Sequence, residues 1–240
     1  MAISRNSHFS RPCTAHGYSE KINQHVKQGY FVGLGSGSTA AYAIKEIGDR
    51  VKHEGIRVSG VPTSYQALML LVAQVIPITT LEEHPTLDLT IDGADQIDEE
   101  LNLINGMAGA LAREKIVAFA SRKLIIAADE SKKVKVLGEK HHYVPAEVLP
   151  IAVPVLMCRI KEMRGTPLLR GGTGKVGPVV TDDGNAIVDA DFGLVRKPAE
   201  LCHELKSMLG VVETGIFASM ADIVYLGTHS AVERIERKLT

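Results

Sequence analysis

Short apolar runs alternate with helical stretches through the first half of this chain, and that rhythm restricts the fold more than any other feature. Tyr30 to Leu34, Arg57 to Val61, Val75 to Ile78, Leu87 to Ile91 and Lys123 to Ala128 read as strands. Ser19 to Lys27, Ser38 to Val51, Ser64 to Gln74 and Ala108 to Ala120 read as helices around them. Strands this apolar, separated by helices, call for crossover connections and so for a parallel sheet covered on both faces. The expected class is α/β.

The rhythm changes near Gly138. Pro145, Pro150, Pro154, Pro167 and Pro178 then punctuate the chain. Val179 to Thr181 and Ala186 to Val188, joined by Asp182-Asp183-Gly184-Asn185, read as a β-hairpin. A helix is expected over Pro198 to Leu209, short strands at Gly215 to Phe217 and Ile223 to Leu226, and a closing helix over Ser230 to Lys238. The expected organisation is a catalytic domain of residues 1–138 plus 213–240, interrupted by a smaller α+β unit of residues 139–212 that acts as a lid or in oligomerisation.

Composition narrows the function. Of 240 residues, 27 are Lys or Arg and 28 Asp or Glu, a net charge of −1, which excludes the broad cationic surface of a nucleic-acid binder. No stretch approaches the roughly 20 apolar residues of a membrane span. Cys13, Cys158 and Cys202 are far apart and odd in number, which argues against a zinc site or a disulfide framework and fits a reducing compartment. The first 19 residues carry Arg5 and Arg11 but no acid, and lack the apolar stretch of a secretory signal. A short surface arm is preferred over a transit peptide. Glycine is in excess, 22 against the ~17 that average usage of ~7% would supply.

Several of those glycines mark candidate sites. Gly33-Leu34-Gly35-Ser36-Gly37-Ser38-Thr39 joins an expected strand to an expected helix. Glycines let the backbone approach a ligand, and a helix start offers free N–H groups and partial positive charge to a phosphate. No Lys precedes the Ser/Thr and Ser38 stands where a third Gly would complete a dinucleotide fingerprint, so neither of those motifs is present. A tight turn with a Ser cap is the plainer reading. Asp92-Gly93-Ala94-Asp95 lies just past a strand, where open parallel sheets bind ligands, and its carboxylates suit sugar hydroxyls; an acidic surface turn is the alternative. Asn105-Gly106-Met107-Ala108 precedes a helix with charges only at Arg113, Glu114 and Lys115. Glu114 has apolar neighbours at helical spacing, so burial would raise its pKa and suit it as a base. Arg113 and Lys115 have similar neighbours, and spacing does not say which of the three points inward. Lys132, after another strand, could reach an anion or sit solvated. His84, His141 and His142 read as surface, and Arg170 to Lys175 as a flexible Gly-rich connection able to cradle an anion.

From about Gln24 to Leu226 the chain resembles ribose-5-phosphate isomerase of type A. The resemblance rests on Gly33 to Ala40, Asp92 to Asp95, Ala110 to Ile116, Asp129 to Lys132, Val179 to Asn185 and Gly210 to Phe217. It implies a Rossmann-like, mostly parallel sheet with an inserted ferredoxin-like α+β domain. It also implies a cytoplasmic, homo-oligomeric enzyme, dimer or tetramer, of the non-oxidative pentose phosphate pathway, with neither cofactor nor metal. Its substrate would be a small phosphosugar, with no nucleic acid or membrane as partner. Glu114 would then carry a proton between C1 and C2 through an enediolate, and Asp92 would assist ring opening and proton traffic at O1 and O2. Ser36, Gly37, Ser38, Thr39 and Lys132 would hold the phosphate. Gly93, Ala94, Asp95, Asn105, Gly106, Met107 and Ala108 would line the sugar.

Two positions depart from the pattern. Where the family has Lys followed by three Gly, this chain has Asn105, Gly106, Met107 and Ala108. Ala15 and His16 stand about where the family often has a basic residue near the phosphate. Asn105 brings a donor without charge, and Met107 brings bulk that would narrow the pocket. A diverged isomerase for another sugar or sugar phosphate, a non-catalytic sugar-phosphate sensor and, more remotely, a coenzyme A transferase of similar fold remain the alternatives on the sequence.

Overall fold

The structure is a computed structural model, which describes residues 21–172, 174, 176–228 and 230–237. The arm with Ala15 and His16, the first residues of the helix expected over Ser19 to Lys27, and Thr173 and Lys175 lie outside them.

Five strands run parallel through the centre: β1 (Phe31–Leu34), β2 (Ser59–Pro62), β3 (Leu89–Asp92), β6 (Leu124–Asp129) and β12 (Ile223–Gly227). Strand β13 (Val232–Glu236) adds antiparallel to β12, for an order β13-β12-β6-β3-β1-β2. β3 is buried at every position, as a strand covered on both faces must be. Helix α1 (Gly37–His53) follows β1, and α2 (Tyr65–Gln74) follows β2. Ala43, Ile44 and Ile47 of α1 and Ala67 and Leu71 of α2 pack on Val32, Leu34, Leu89 and Ile91. Ser64 caps α2 by accepting from the Ala67 N–H at 3.1 Å. Helix α3 (Leu111–Phe119) precedes β6.

The segment between β6 and β12 builds a second sheet. Strands β7 (Val144–Val148), β8 (Thr166–Leu169), β9 (Ala186–Asp191) and β10 (Val211–Thr214) pair antiparallel in the order β10-β7-β9-β8. Helix α4 (Val153–Glu162) connects β7 to β8, and α5 (Pro198–Lys206) connects β9 to β10. This β-α-β-β-α-β path is a ferredoxin-like unit. Its core of Val144, Val148, Leu156, Ile160, Val188 and Leu205 is distinct from that of the parallel sheet. A small antiparallel sheet joins β4 (Gln96–Ile97) and β5 (Leu103–Ile104), which lie between β3 and β6 in sequence, to β11 (Ile216–Phe217), which follows β10, and Ile104 and Ile216 pack into the second core.

Several expected elements change. Val75 to Ile78 is no strand; Ile78 makes a single bridge to Gly60. Asn23 ends the described part of the first helix, and turns follow. The closing helix is β13 instead. Val232 and Ile235 stand at a spacing a helix could use, but the open edge of β12 offers unpaired N–H and C=O groups, and pairing them decides the matter. The expected hairpin shrinks to one bridge, Val180 to Ala186, because β9 spends its hydrogen bonds on β7 and β8. Helix α4 begins just after the turn at Pro150 and takes Pro154 into its first turn, where no N–H partner is required.

Candidate active site

β2 and β3 flank β1 on opposite sides, so the chain leaves β1 and β3 at a reversal of strand order, the place where open α/β sheets leave a crevice. Gly35 makes the close approach there possible. Its N–H donates to Ile91 O at 2.9 Å, and a Cβ on it would stand 1.9 Å from Asp92 Oδ1. Ser36 follows as N-cap of α1, its hydroxyl 3.0 Å from Thr63 Oγ1 and donating to Ser64 Oγ at 2.6 Å. The Gly37 N–H donates to Gln66 Oε1 at 2.9 Å. Ser38 is exposed and Thr39 half-buried in the first turn of α1.

Asp92, the last residue of β3, is 1% exposed. Its Oδ1 accepts the Gly93 N–H at 2.7 Å, and Oδ2 has no hydrogen-bond partner among the described residues. Burial pushes its carboxyl up to about 7; the Gly93 and Ser36 N–H groups oppose this, and the Asp95 charge adds to it. Gly93, Ala94 and Asp95 are half-buried, and Asp95 Oδ2 accepts the Met107 N–H at 2.9 Å.

The three charges of α3 separate. Arg113 points out, with Nε 2.9 Å and 3.0 Å from the two Asp183 oxygens. Lys115 turns to the second sheet, where Nζ donates to Thr214 O at 2.5 Å and to Glu213 Oε1 at 2.9 Å, 4.9 Å from the centre of the Phe217 ring. Glu114 alone faces the crevice, 2% exposed. Burial raises its pKa well above the usual carboxylate range, the Asp92 and Asp95 charges raise it further, and Ser36 partly offsets this. Asn105, 8% exposed, donates from Nδ2 to Glu114 Oε2 at 3.2 Å, and its backbone N–H is fixed on Gly215 O at 2.8 Å. The residue in place of the family Lys thus touches the buried carboxylate.

Gly106 has φ 114 and Leu111 beneath it, so the turn needs glycine. Met107 and Ala108 are exposed. Met107 lays its sulfur 3.7 Å from Arg170 Nη2, toward the ferredoxin-like unit. Lys132 ends a 3-10 turn after β6 and makes no ion pair with any described residue. The structure therefore joins Glu114, Asp92, Asp95 and Asn105 in one polar network around Ser36, with Lys132 on the next strand end. Among the described residues no cluster of three His, Cys, Asp or Glu could hold a metal.

Sequence reasoning missed Thr63 and Ser64 behind Ser36, Gln66 on Gly37, and the Arg170–Asp189 pair. Arg170 is no free connection: Nε donates to Asp189 Oδ2 at 2.8 Å. Nothing in local spacing marks these residues, since each partner lies far away in the chain. His84 stacks on Phe31 at 3.6 Å and His141 is exposed beside Asp191, whereas His142 is half-buried, with desolvation lowering its pKa.

The family model for ribose 5-phosphate isomerase A (phosphoriboisomerase A) matches residues 59–231. The chain belongs to the ribose 5-phosphate isomerase A family. Ribose-5-phosphate isomerase A of Methanosarcina acetivorans is 47% identical over 213 residues, 89% of this chain and 90% of that protein. The human ribose-5-phosphate isomerase is 41% identical over 219 residues, 90% of this chain and 70% of its own length. Among solved structures, ribose 5-phosphate isomerase A from Methanocaldococcus jannaschii superposes with a TM-score of 0.91 at 39% identity, covering 95% of this chain and all of its own. A D-ribose-5-phosphate isomerase in complex with phospho-erythronic acid superposes at 0.92, also at 39% identity and with the same coverage. The ribose 5-phosphate isomerase A fold, a mostly parallel sheet with a ferredoxin-like insertion, is the one seen here.

Proposed function

We propose that this chain interconverts D-ribose 5-phosphate and D-ribulose 5-phosphate, with Glu114 as the base. The observation that carries the reading is the Glu114 carboxylate buried at the strand-order reversal, bonded to Asn105 and facing Asp92. A C–H beside a carbonyl is weakly acidic, and a positioned carboxylate with a raised pKa accepts its proton near neutrality, an effect on the order of 10²–10⁴-fold. Glu114 takes the proton from C2 of the open-chain aldose, forming the enediolate, and returns it to C1. Asp92, its carboxyl raised by burial to about 7, moves the hydroxyl proton from O2 to O1 and assists ring opening.

Asn105 donates to the developing oxyanion or to Glu114, and Asp95 accepts from sugar hydroxyls. Gly93, Ala94, Gly106, Met107 and Ala108 form the walls. The phosphate sits on Ser36, Gly37, Ser38 and Thr39 at the start of α1, with Lys132 as counter-charge and Gln66 moved off the Gly37 N–H. The complex of a relative with phospho-erythronic acid supports this reading, because a phosphorylated chain ending in a planar carboxylate resembles the enediolate.

No described helix is long and apolar enough to cross a membrane. We place the protein in the cytoplasm, to which the free thiols of Cys158 and Cys202 lend support. Residues 139–212 serve as a lid or oligomerisation unit on the domain formed by the remainder. A homo-oligomer, dimer or tetramer, fits the exposed Ile116 and Phe119 on α3, and light scattering tests it. The activity is tested by coupling ribulose 5-phosphate formation to a spectrophotometric reporter. Wild-type turnover that survives in Glu114→Gln refutes the reading.

A further inference from the structure

Arg170 follows β8 at the edge of the ferredoxin-like unit, and its backbone is locked in place: its N–H donates to Ile187 O at 2.9 Å and its O accepts from Val179 at 2.8 Å. The guanidinium lies between two groups far apart in sequence. On one side it pairs with both oxygens of Asp189 on β9, the side chains being 12% and 6% exposed. On the other side Nη1 donates to Gly106 O at 2.9 Å and Met107 O at 3.1 Å.

These carbonyls belong to the turn between Asn105 and α3, a run of Gly and Ala around Met107 that lies in no helix or strand. Arg170 holds the turn by its carbonyls, Asp95 by the Met107 N–H at 2.9 Å, and Gly215 by the Asn105 N–H at 2.8 Å. With all three held, Asn105 Nδ2 meets Glu114 at 3.2 Å and Asp95 is aimed by the same peptide. A buried ion pair adds little to stability over apolar residues of similar size, so stability is a weak reason for this one. A planar fork suits the task, because it can engage a carboxylate along one edge and carbonyls along another; a lysine presents a single point charge.

We infer that Arg170, oriented by Asp189, is a positioning residue for the isomerase site, reaching from the inserted unit to set Asn105 against Glu114 and Asp95. The inference rests on Glu114 being the base. Because the phosphate cradle is on α1 and the β6 end, away from this clamp, the loss should fall mainly on kcat, with only a small rise in KM from the sugar walls at Gly106 and Met107.

The test uses the full-length double variant Arg170→Met/Asp189→Leu, which removes both charges together and strands neither. Circular dichroism melts confirm folding, and calorimetric titration with a non-isomerisable phosphorylated sugar acid counts competent sites. The expected result is a folded protein with about one site per chain, KM within about threefold of wild type, and kcat lower by on the order of 100-fold, the loss that an ångström-scale misplacement brings. Arg170→Lys, which keeps the charge, should still lose about tenfold or more in kcat. Wild-type kcat in either variant, or a kcat loss matched by an equal loss of competent sites, overturns the inference. Glu114→Gln measured alongside separates the two readings. If it is inactive while the double variant is fully active, only the clamp fails; if it is fully active, the assignment of the base fails and the clamp with it.

Discussion

Replacing Asn105 by Lys puts an ammonium where a neutral amide now sits 3.2 Å from Glu114 Oε2. A unit charge about 4 Å from the carboxylate contributes ~4 kcal/mol at an effective dielectric of about 20. At ~1.4 kcal/mol per pH unit this would lower the carboxyl pKa by about three units. Burying an ammonium costs part of that gain, leaving about one to two units. The direction follows from the present state of the site. Burial raises both Asp92 and Glu114, and each raises the other, so they titrate as a pair. A base must be ionised to accept a proton. The wild-type kcat/KM for ribose 5-phosphate should therefore fall as pH drops through the pair's apparent pKa, which burial and mutual repulsion raise above the ordinary carboxylate range. In Asn105→Lys the acid limb should move down by about one to two units, with turnover at low pH rising accordingly. Asn105→Met, uncharged and of similar length, should leave the limb in place or move it slightly upward. The assay is initial rate at low substrate across the pH range. An acid limb that stays put or rises in Asn105→Lys would refute the adjacency of Asn105 to the base.

The same burial makes Asp92 a liability for stability. Its folded carboxyl titrates near 7 against an ordinary 3.8, so between those values the folded chain holds a proton that the unfolded chain has released, and stability falls as pH rises through that window. Asp92→Asn should remove up to about 4 kcal/mol of this penalty above about pH 8, read as thermal melts with a flatter pH dependence; an unchanged slope contradicts the argument. Gly35→Ala should fold with a loss of about 1–3 kcal/mol and about 100-fold in kcat, because its Cβ would lie 1.9 Å from Asp92 Oδ1; near-wild-type rates would show that Asp92 need not stay where it is. Gln66→Glu sets a carboxylate on the Gly37 N–H and should raise KM about tenfold or more, with the effect weakening in salt, while kcat holds; an unchanged KM removes that N–H from the phosphate cradle.

The α/β class, the strand-end positions of Asp92 and Lys132 and the loop at Gly33 to Thr39 were legible because they depend on local signals. Apolar runs of strand length, Gly at the close turns and Ser before helices mark them without reference to distant residues. The expected closing helix failed for the opposite reason. Val232 and Ile235 stand three apart, one face of a helix but opposite faces of a strand, and only the vacant edge of β12, with an apolar core on either side of it, selects the strand. Local signals gave the inserted unit only as α+β, and its ferredoxin-like topology came from the family resemblance alone: β7 and α4 contain prolines that read as breaks, although Pro145 lies within a paired strand and Pro154 in the first turn of a helix.

The sequence by itself determined which residue types were present at the site and their order along the chain. It left undecided which of Arg113, Glu114 and Lys115 turns inward, because all three have apolar neighbours at helical spacing. Tertiary structure decided that: Asp183 draws Arg113 out, Glu213 and Thr214 take Lys115, and Glu114 is left facing Asp92 and Asn105. It also decided the raised carboxyl pKa values and the grip of Arg170 on the Asn105 turn. Burial and charge proximity arise from separate segments, those of Ser36, of Asp92 to Asp95, of Glu114 and of Arg170, that only the fold brings together, and no spacing within one segment encodes them.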